Sequence, residues 1–279
     1  MRKKKIKKSL LTICLLFAIA ACCVLEITAI QTYEGIRNIE NFRTFYINND
    51  LWQGLEEAYG TKTPQFYDKL TTRMLQSNFN PQKGKKNLPA IFYKIGILRP
   101  IYKQYRTMYQ TILQDIECFP VANDVKGGEA TYFDDSWGGA RTYGGKRKHE
   151  GTDIMTSNNE RGYFPVISMT DGIIEKKGWL PKGGYRLGIR SPEGAYFYYA
   201  HLHSYAEGIE EGMTVRKGQY IALMGDTGYS EIEGTVGNFD VHLHMGIYID
   251  YKGQEMSVNP YYVLKYYENK KLNFCFKNE

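Results

Sequence analysis

The hydrophobic pattern of this chain changes near Phe119, and the change separates two kinds of secondary structure. Before it, two stretches carry apolar side chains every three to four positions, which aligns them along one helix face. The first comprises Tyr33, Ile36, Ile39, Phe42 and Phe45, and the second Ile101, Tyr105, Met108, Ile112 and Ile116. A polar loop, residues 78–87, separates them. We expect a helical accessory region over residues 31–117 that acts either as a spacer or as a binding surface for a partner protein.

After Phe119, glycines become frequent and short β-rich runs alternate with turns. The runs are residues 163–169, 172–176, 186–190, 195–200, 220–224 and 241–249. Many short strands at this spacing predict a mostly-β domain built on an antiparallel sheet, which we place at residues 118–265. A short helix is expected after residue 260, and residues 266–279 are expected to form a C-terminal tail.

The N-terminus joins a basic cluster, residues 1–8, to an apolar segment, residues 9–30. An uncleaved membrane anchor needs about 20 apolar residues, and this segment reaches that length with Glu26 near its outer edge. The alternatives are a signal peptide cleaved near Ala21 and a lipoprotein modified at Cys22. The basic cluster keeps the N-terminus cytoplasmic under the positive-inside rule. We favour a single-pass anchor, and all three alternatives place the rest of the chain outside the cell.

The net charge of +6 is a property of this leader. The basic residues that supply it are Arg2, Lys3, Lys4, Lys5, Lys7 and Lys8. Without them, basic and acidic residues balance, so we expect no basic face for nucleic acid.

The cysteines are divided between the leader and the part of the chain expected outside the cell. Three of the five cysteines lie in the leader, and only Cys118 and Cys275 belong to the exported part. In an oxidising setting these two thiols either pair or stay free, and the sequence leaves both open. No CxxC spacing occurs, which argues against a cysteine-ligated zinc.

All five histidines are confined to the predicted β domain, between His149 and His244. Histidine is the commonest metal ligand and the side chain best suited to proton transfer near neutral pH. Together with one aspartate they form three short clusters: His149 with Asp153, His201 with His203, and His242 with His244. Zinc hydrolases use three protein ligands and leave a fourth position for water. The clusters therefore predict a zinc hydrolase with imidazoles to spare for proton transfer.

The local sequence indicates how each cluster is presented. KHEGTD is one letter from the HExxH helix of zinc proteases, but Gly151 and Thr152 are poor helix formers. We expect a strand or loop to deliver His149 and Asp153, with Glu150 available as a base. His242 and His244 stand two apart on a predicted strand and share one face. The turn expected from Ser204 places one of His201 and His203 on a strand and the other in a loop.

Residues 118–262 resemble the catalytic domain of lysostaphin-type (LytM-like) zinc metallopeptidases, which cut peptide bonds in bacterial peptidoglycan. Five segments carry the resemblance in order: GGARTYGGKRKHEGTD, FPVISMTDGII, YYAHL, GMTVRKGQYIALMGDTGYS and HLH. The resemblance implies that His149, Asp153 and His244 ligate one Zn²⁺, and that His201 and His242 form the catalytic pair. It gives His203 no role, and it does not extend to residues 31–117.

Two departures stand out. The link from Ser230 to Asp240 is longer and more acidic than is usual in the family, and Met245 replaces a common aromatic residue. The implied function is a zinc endopeptidase that cuts stem peptides or cross-bridges of peptidoglycan at the cell surface. The alternatives are a non-hydrolytic scaffold or activator and a zinc hydrolase of ordinary protein. All five functional positions are present, which favours an enzyme.

Overall fold

The computed structural model describes residues 2–84 and 88–274. Cys275 lies outside these residues, so its pairing with Cys118 stays open. The helices are α1 (Arg2–Ile36), α2 (Ile39–Arg43), α3 (Asn49–Tyr59), α4 (Pro64–Gln76), α5 (Ala90–Tyr93), α6 (Arg99–Leu113) and α7 (Tyr261–Tyr267). Short 3₁₀ turns occur at Pro81–Lys83, Gly96–Leu98 and Glu268–Lys270.

The strands begin where the hydrophobic pattern changes. They are β1 (Asn123–Asp124), β2 (Thr131–Tyr132), β3 (Ala140–Arg141), β4 (Arg147–Lys148), β5 (Thr152–Thr156), β6 (Pro165–Ile167), β7 (Gly172–Leu180), β8 (Gly184–Arg190), β9 (Tyr196–Tyr205), β10 (Thr214–Val215), β11 (Tyr220–Met224), β12 (His242–Tyr251), β13 (Gln254–Val258) and β14 (Asn273–Phe274).

One large antiparallel sheet forms the β domain, as its pattern of short strands predicts. Its main path runs β10-β7-β8-β9-β12-β5-β2, with β13 beside β12 and β11 between β9 and β6. Strands β3 and β4 form a separate hairpin, and β1 pairs in parallel with β14. The central strands β9 and β12 are the longest, at ten residues each, and both carry histidines of the predicted site.

The helical region and the sheet share one continuous hydrophobic core. Trp52 of α3 stacks on Tyr266 of α7, with ring centroids 4.1 Å apart and planes 10° from parallel. Tyr266 and Tyr267, at the start of the predicted tail, are buried. The helices are therefore packed as part of the folded domain rather than held apart from it.

The predicted helix face at Tyr33–Phe45 is buried, but it is not one helix. Ile36, Phe42 and Phe45 are all fully buried, yet α1 ends at Ile36. The side chain of Asn38 accepts a hydrogen bond from the Glu40 amide and so caps a new helix, α2. Phe45 lies beyond α2 with φ +48°. The periodicity identified the core positions, and the cap decided where the chain turned.

Helix α1 is long and apolar enough to cross a membrane, by length and composition. The span is Ser9–Ile36, and its most apolar window of 18 residues has a mean hydropathy of 2.7. The side chains from residue 9 to residue 27 are exposed, whereas Thr32 and Ile36 are buried in the domain. The last turns of α1 thus belong to the folded domain.

Candidate active site

Strands β5 and β12 bring the first two side chains of the site together. Their register places His244 directly opposite Asp153. Side chains on directly opposed residues of antiparallel strands are neighbours on one face. The Nδ1 atom of His244 accordingly lies 2.9 Å from Oδ1 of Asp153.

His149 completes a compact group of three. It follows β4, and its Nδ1 donates to the Ser136 carbonyl at 3.0 Å, so Nε2 is the atom turned to the site. That Nε2 lies 3.0 Å from Oδ1 of Asp153 and 2.9 Å from Nδ1 of His244. Among the His, Cys, Asp and Glu side chains of the described residues, His149, Asp153 and His244 lie close enough together to hold a metal ion.

The chemistry of these three atoms calls for a cation. A neutral imidazole that donates through Nδ1 presents a bare lone pair at Nε2, and a carboxylate oxygen only accepts. The Nε2 of His149 and the Oδ1 of Asp153 are therefore two acceptors 3.0 Å apart, which a proton or a metal ion between them would stabilise. Two imidazole nitrogens and one carboxylate oxygen form a donor set typical of catalytic zinc.

Neighbouring residues hold Asp153 ionised and oriented. Burial opposes ionisation of Asp153, but the adjacent imidazole rings of His149 and His244 outweigh it and hold the pKa of this carboxyl well below its usual range. Arg141 of β3 donates through Nη2 to the other carboxylate oxygen, Oδ2, at 2.8 Å. Because Arg141 binds Oδ2, the Oδ1 atom of Asp153 remains available to bind a metal ion together with His149 and His244.

A glycine supplies the space behind His244. A Cβ atom added at Gly151 would lie 2.5 Å from Cε1 and 2.6 Å from Nε2 of His244, and 2.7 Å from the Met245 carbonyl. The KHEGTD motif needs glycine there because the imidazole ring occupies that volume.

His201 reaches the site from a β-bulge. Between Leu187 and Tyr185 of β8, strand β9 carries an extra residue, and His201 at that point has φ +62°. Bulges re-aim side chains and are frequent beside active sites. Its Nδ1 donates to the Thr227 carbonyl at 2.7 Å, which leaves Nε2 as the remaining ring nitrogen. Burial, together with the nearby rings of His242 and His244, lowers the pKa of His201 well below its ordinary value.

His242 is oriented in the same manner as His201. Its Nδ1 donates to the Asp240 carbonyl at 2.7 Å, and its Nε2 lies 3.8 Å from Oδ1 of Asp153. The rings of His201 and His242 are 4.7 Å apart, centroid to centroid. Two imidazoles thus stand side by side next to the group of three.

His203 is not brought to the site. Strand β9 continues to Tyr205, so His203 lies on the strand together with His201, and the expected loop at Ser204 is wrong. Its side chain is exposed and does not line the cleft.

The cleft that contains these groups has a volume of about 490 Å³. Sequence reasoning did not assign several residues that line it, namely Arg141, Arg147, Lys148, Lys182, Tyr198, Tyr229 and Tyr248. Three of them lie within or near the first motif, whose run of basic residues was the available signal. Tyr229, which directly precedes the long acidic link, stacks on Tyr143 with centroids 4.5 Å apart. The link itself reaches the site through Phe239, whose ring lies 4.6 Å from that of His201, centroid to centroid.

The charge of the cleft is unbalanced. Its two acidic residues are each paired: Asp153 with Arg141, and Glu150 with Arg43. Arg147, Lys148 and Lys182 form no ion pair with any carboxylate in the described part of the chain. A ligand with carboxylate groups would complement this surface.

Comparisons with known proteins agree with this fold. Residues 147–260 match the model of peptidase family M23. A solved structure from Ruminococcus gnavus, of a protein proposed to be the glycyl-glycine endopeptidase lytM, superposes with TM-score 0.72 at 36% identity. The match covers 87% of this chain and 99% of that one, and so includes helical residues as well as the sheet. The fold is that of a LytM-type peptidase domain, and the chain belongs to peptidase family M23.

Two curated relatives match over shorter stretches. The chain is 44% identical over 133 residues to the L-Ala–D-Glu endopeptidase of Bacillus subtilis, which covers 48% of this chain and 39% of that protein. It is 31% identical over 114 residues to an uncharacterised metalloprotease of Haemophilus influenzae, which covers 41% of this chain and 20% of that protein. The chain thus spans less than half the length of these relatives.

Proposed function

We propose that this protein is a zinc-dependent endopeptidase that hydrolyses peptide bonds of peptidoglycan at the outer surface of the cell. The observation that carries the proposal is the convergence of Nε2 of His149, Oδ1 of Asp153 and Nδ1 of His244 within 3.0 Å of one another. The pair His201 and His242 stands beside them. Membership of a peptidase family supports a hydrolytic use of this arrangement.

His149, Asp153 and His244 would hold the zinc ion. When bound, zinc would supply Lewis-acid polarisation of the scissile carbonyl and would lower the pKa of a water molecule to about 7. The protein's contribution is to fix the ligand atoms. The Ser136 carbonyl sets the tautomer of His149, and Arg141 orients the carboxylate of Asp153.

His201 and His242 move the protons. Each donates Nδ1–H to a backbone carbonyl, so each presents Nε2 to the cleft. A neutral Nε2 accepts a proton from the attacking water, and a protonated one donates to the oxygen that becomes negative as the carbonyl is attacked. One member of the pair serves each purpose.

The unpaired cations of the cleft favour stem-peptide bonds that adjoin an acidic residue. Arg147, Lys148 and Lys182 would face the carboxylates of such a substrate. The name of the Bacillus relative specifies an L-Ala–D-Glu bond, which fits this surface better than the uncharged glycyl-glycine bond named for the Ruminococcus protein. We therefore propose stem peptides rather than glycine cross-bridges as substrate.

The test uses the full chain in detergent with purified peptidoglycan. Release of new amino termini is measured, and mass spectrometry of the fragments identifies the bond. We expect activity that is lost on chelation, restored by Zn²⁺, and abolished in His149→Ala and His242→Ala. His203→Ala is the matched control because this histidine is exposed on the same sheet and lies outside the cleft.

The outcomes separate the rival functions. Unchanged activity in both His149→Ala and His242→Ala would sink the assignment of the site. A zinc-loaded protein that cuts nothing would favour the scaffold or activator. Digestion of unfolded protein as fast as peptidoglycan would favour a general protease. A synthetic stem peptide with the glutamate carboxyl amidated should be cut more slowly, and equal rates would refute the proposed use of the cations.

A further inference from the structure

The outer end of α1 is fixed to one end of the folded domain. Ile36 is fully buried, and the Tyr105 hydroxyl of α6 donates to the Ile36 carbonyl at 2.7 Å. Tyr33 of α1 and Ile97 line one small cavity together. The apolar span therefore meets the domain near the N-terminal end of α6.

The segment Ala90–Leu98 lies at that same end and exposes three isoleucines. The exposed fractions are 57% for Ile91, 48% for Ile95 and 54% for Ile97. Tyr93 and Leu98 are buried and attach the segment to the core. A cluster of large apolar side chains held at the surface indicates a binding site rather than ordinary surface composition.

With α1 across a bilayer, the segment Ala90–Leu98 would lie at the level of the bilayer surface. The exposed stretch of α1, residues 9–27, rises about 28 Å, close to the hydrocarbon thickness of about 30 Å. Tyr33 lies about 9 Å farther along the helix, at the depth of the outer headgroups. Ile97 shares a cavity with Tyr33 and so lies near the same level.

The polar residues around the segment suit lipid headgroups. Arg99 and Lys103 of α6 are exposed beside it, and Arg37, which pairs with Glu34, is exposed at the end of α1. Cations attract lipid phosphates, and tyrosines such as Tyr33 are enriched at the membrane–water interface. Apolar tips ringed by cations are the pattern of an interfacial membrane contact.

We propose that the isoleucine segment, Ala90–Leu98, inserts into the outer surface of the bilayer that α1 spans. The inference rests on the proposed anchoring of α1. It gives the domain a second point of attachment, so the helical accessory region holds the catalytic domain in one orientation at the membrane.

The test measures the depth of single tryptophans in the full chain, reconstituted in phospholipid vesicles with nitroxide groups on the acyl chains. Ile97→Trp reports on the segment and Phe17→Trp on the middle of α1. Ile232→Trp is the matched control, because Ile232 is 75% exposed on the link that borders the cleft. The wild-type chain supplies the background from the native tryptophans.

We expect the added fluorescence of Ile97→Trp to be quenched at least about threefold more than that of Ile232→Trp. Equal quenching of these two, with strong quenching of Phe17→Trp, would overturn the membrane contact while leaving α1 as an anchor, and would assign the isoleucines to a protein partner. Weak quenching of Phe17→Trp would refute both proposals.

Discussion

Four imidazoles at the site are held in two opposite orientations. His149, His201 and His242 each donate Nδ1–H to a backbone carbonyl and leave Nε2 for chemistry. His244 does the reverse, because its position opposite Asp153 brings its Nδ1 to the carboxylate. Its Nε2 edge therefore packs against Gly151.

Gly151→Ala should weaken the metal site without unfolding the protein. The new methyl group would come within 2.5 Å of the His244 ring and displace Nδ1. We expect zinc affinity to fall about 10–100-fold, with a parallel loss of peptidase activity, measured by competition with a chelator. Gly54→Ala is the control, because nothing lies within 4 Å of its added Cβ. Unchanged zinc affinity in Gly151→Ala would contradict the proposed ligand role of His244.

At this scale the sequence predicted which residues meet but not how they are oriented. The motifs brought forward His149, Asp153 and His244, which the structure places within 3.0 Å of one another. The strand register joins His244 and Asp153, which are 91 positions apart, and the contact of Arg141 with Asp153 depends on how the β3–β4 hairpin folds back over the site. No local pattern contains that information.

Elements, rather than single residues, decide how His201 is used. On a regular strand, His201 and His203 would share one face. The bulge in β9 separates them. The His201 amide donates to the Gly183 carbonyl and its ring Nδ1 to the Thr227 carbonyl, and these two bonds hold the φ of +62°. The alternating pattern of a strand, which has a period of two residues, could not predict this extra residue.

A second element-scale feature links α2 to the first metal motif. Arg43 donates to Glu150, next to His149, at 2.9 Å, and to the Ser257 hydroxyl of β13 at 2.7 Å. Its guanidinium also lies over the Trp137 ring. Arg43 thus joins the helical region, the metal motif and the sheet.

Arg43→Gln should cost about 2 kcal/mol of unfolding free energy and reduce zinc affinity, because the loop that carries His149 loses its support. Denaturant unfolding and chelator competition measure the two effects. Arg37→Gln removes an exposed pair with Glu34 and an exposed contact with the Tyr33 ring, and should change the unfolding free energy by less than about 1 kcal/mol. If zinc affinity is the same in both variants, α2 does not position the metal motif.

The β1 turn predicts a pH dependence. The Asp124 carboxylate accepts hydrogen bonds from the Tyr163 hydroxyl and from the amides of Gly127 and Lys126. These bonds lower the pKa of Asp124 to about 2. A lowered pKa stabilises the fold above the unfolded-state value, and that contribution is lost as the pH falls through the folded-state value.

Asp124→Asn should therefore be less stable than the wild type at pH 5, and the difference should shrink as the pH falls towards about 2. Urea midpoints at several pH values measure this difference. A gap between the two proteins that stays constant with pH would show that the ionised carboxylate is not what stabilises the turn.

On the scale of the whole molecule, the helical region and the sheet share one hydrophobic core, so we expect them to unfold as one cooperative unit. Trp52 of α3 is fully buried and contacts Tyr266 and Tyr267 of α7. The sequence predicted both classes of structure, since each has its own local period. Their common core was not predictable, because its contacts join residues more than 200 positions apart.

Trp52→Ala should destabilise the molecule by about 3–5 kcal/mol and still leave a single unfolding transition. Far-UV circular dichroism follows the helices, and the fluorescence of the two remaining tryptophans, Trp137 and Trp179, follows the β domain. Ile232→Ala, at an exposed site, should leave the transition unchanged. Separate melting of the helices and the sheet in Trp52→Ala would contradict a shared core.

The unbroken course of α1 from its exposed length to the buried Ile36 has a mechanical consequence. With α1 in a bilayer, no hinge separates the anchor from the catalytic domain, so the cleft stays at a fixed distance from the membrane. Such an enzyme would reach only the layer of peptidoglycan nearest the membrane. The number of bonds available to it would then be set by its lateral diffusion in the membrane and by the rate at which new peptidoglycan is added next to the membrane.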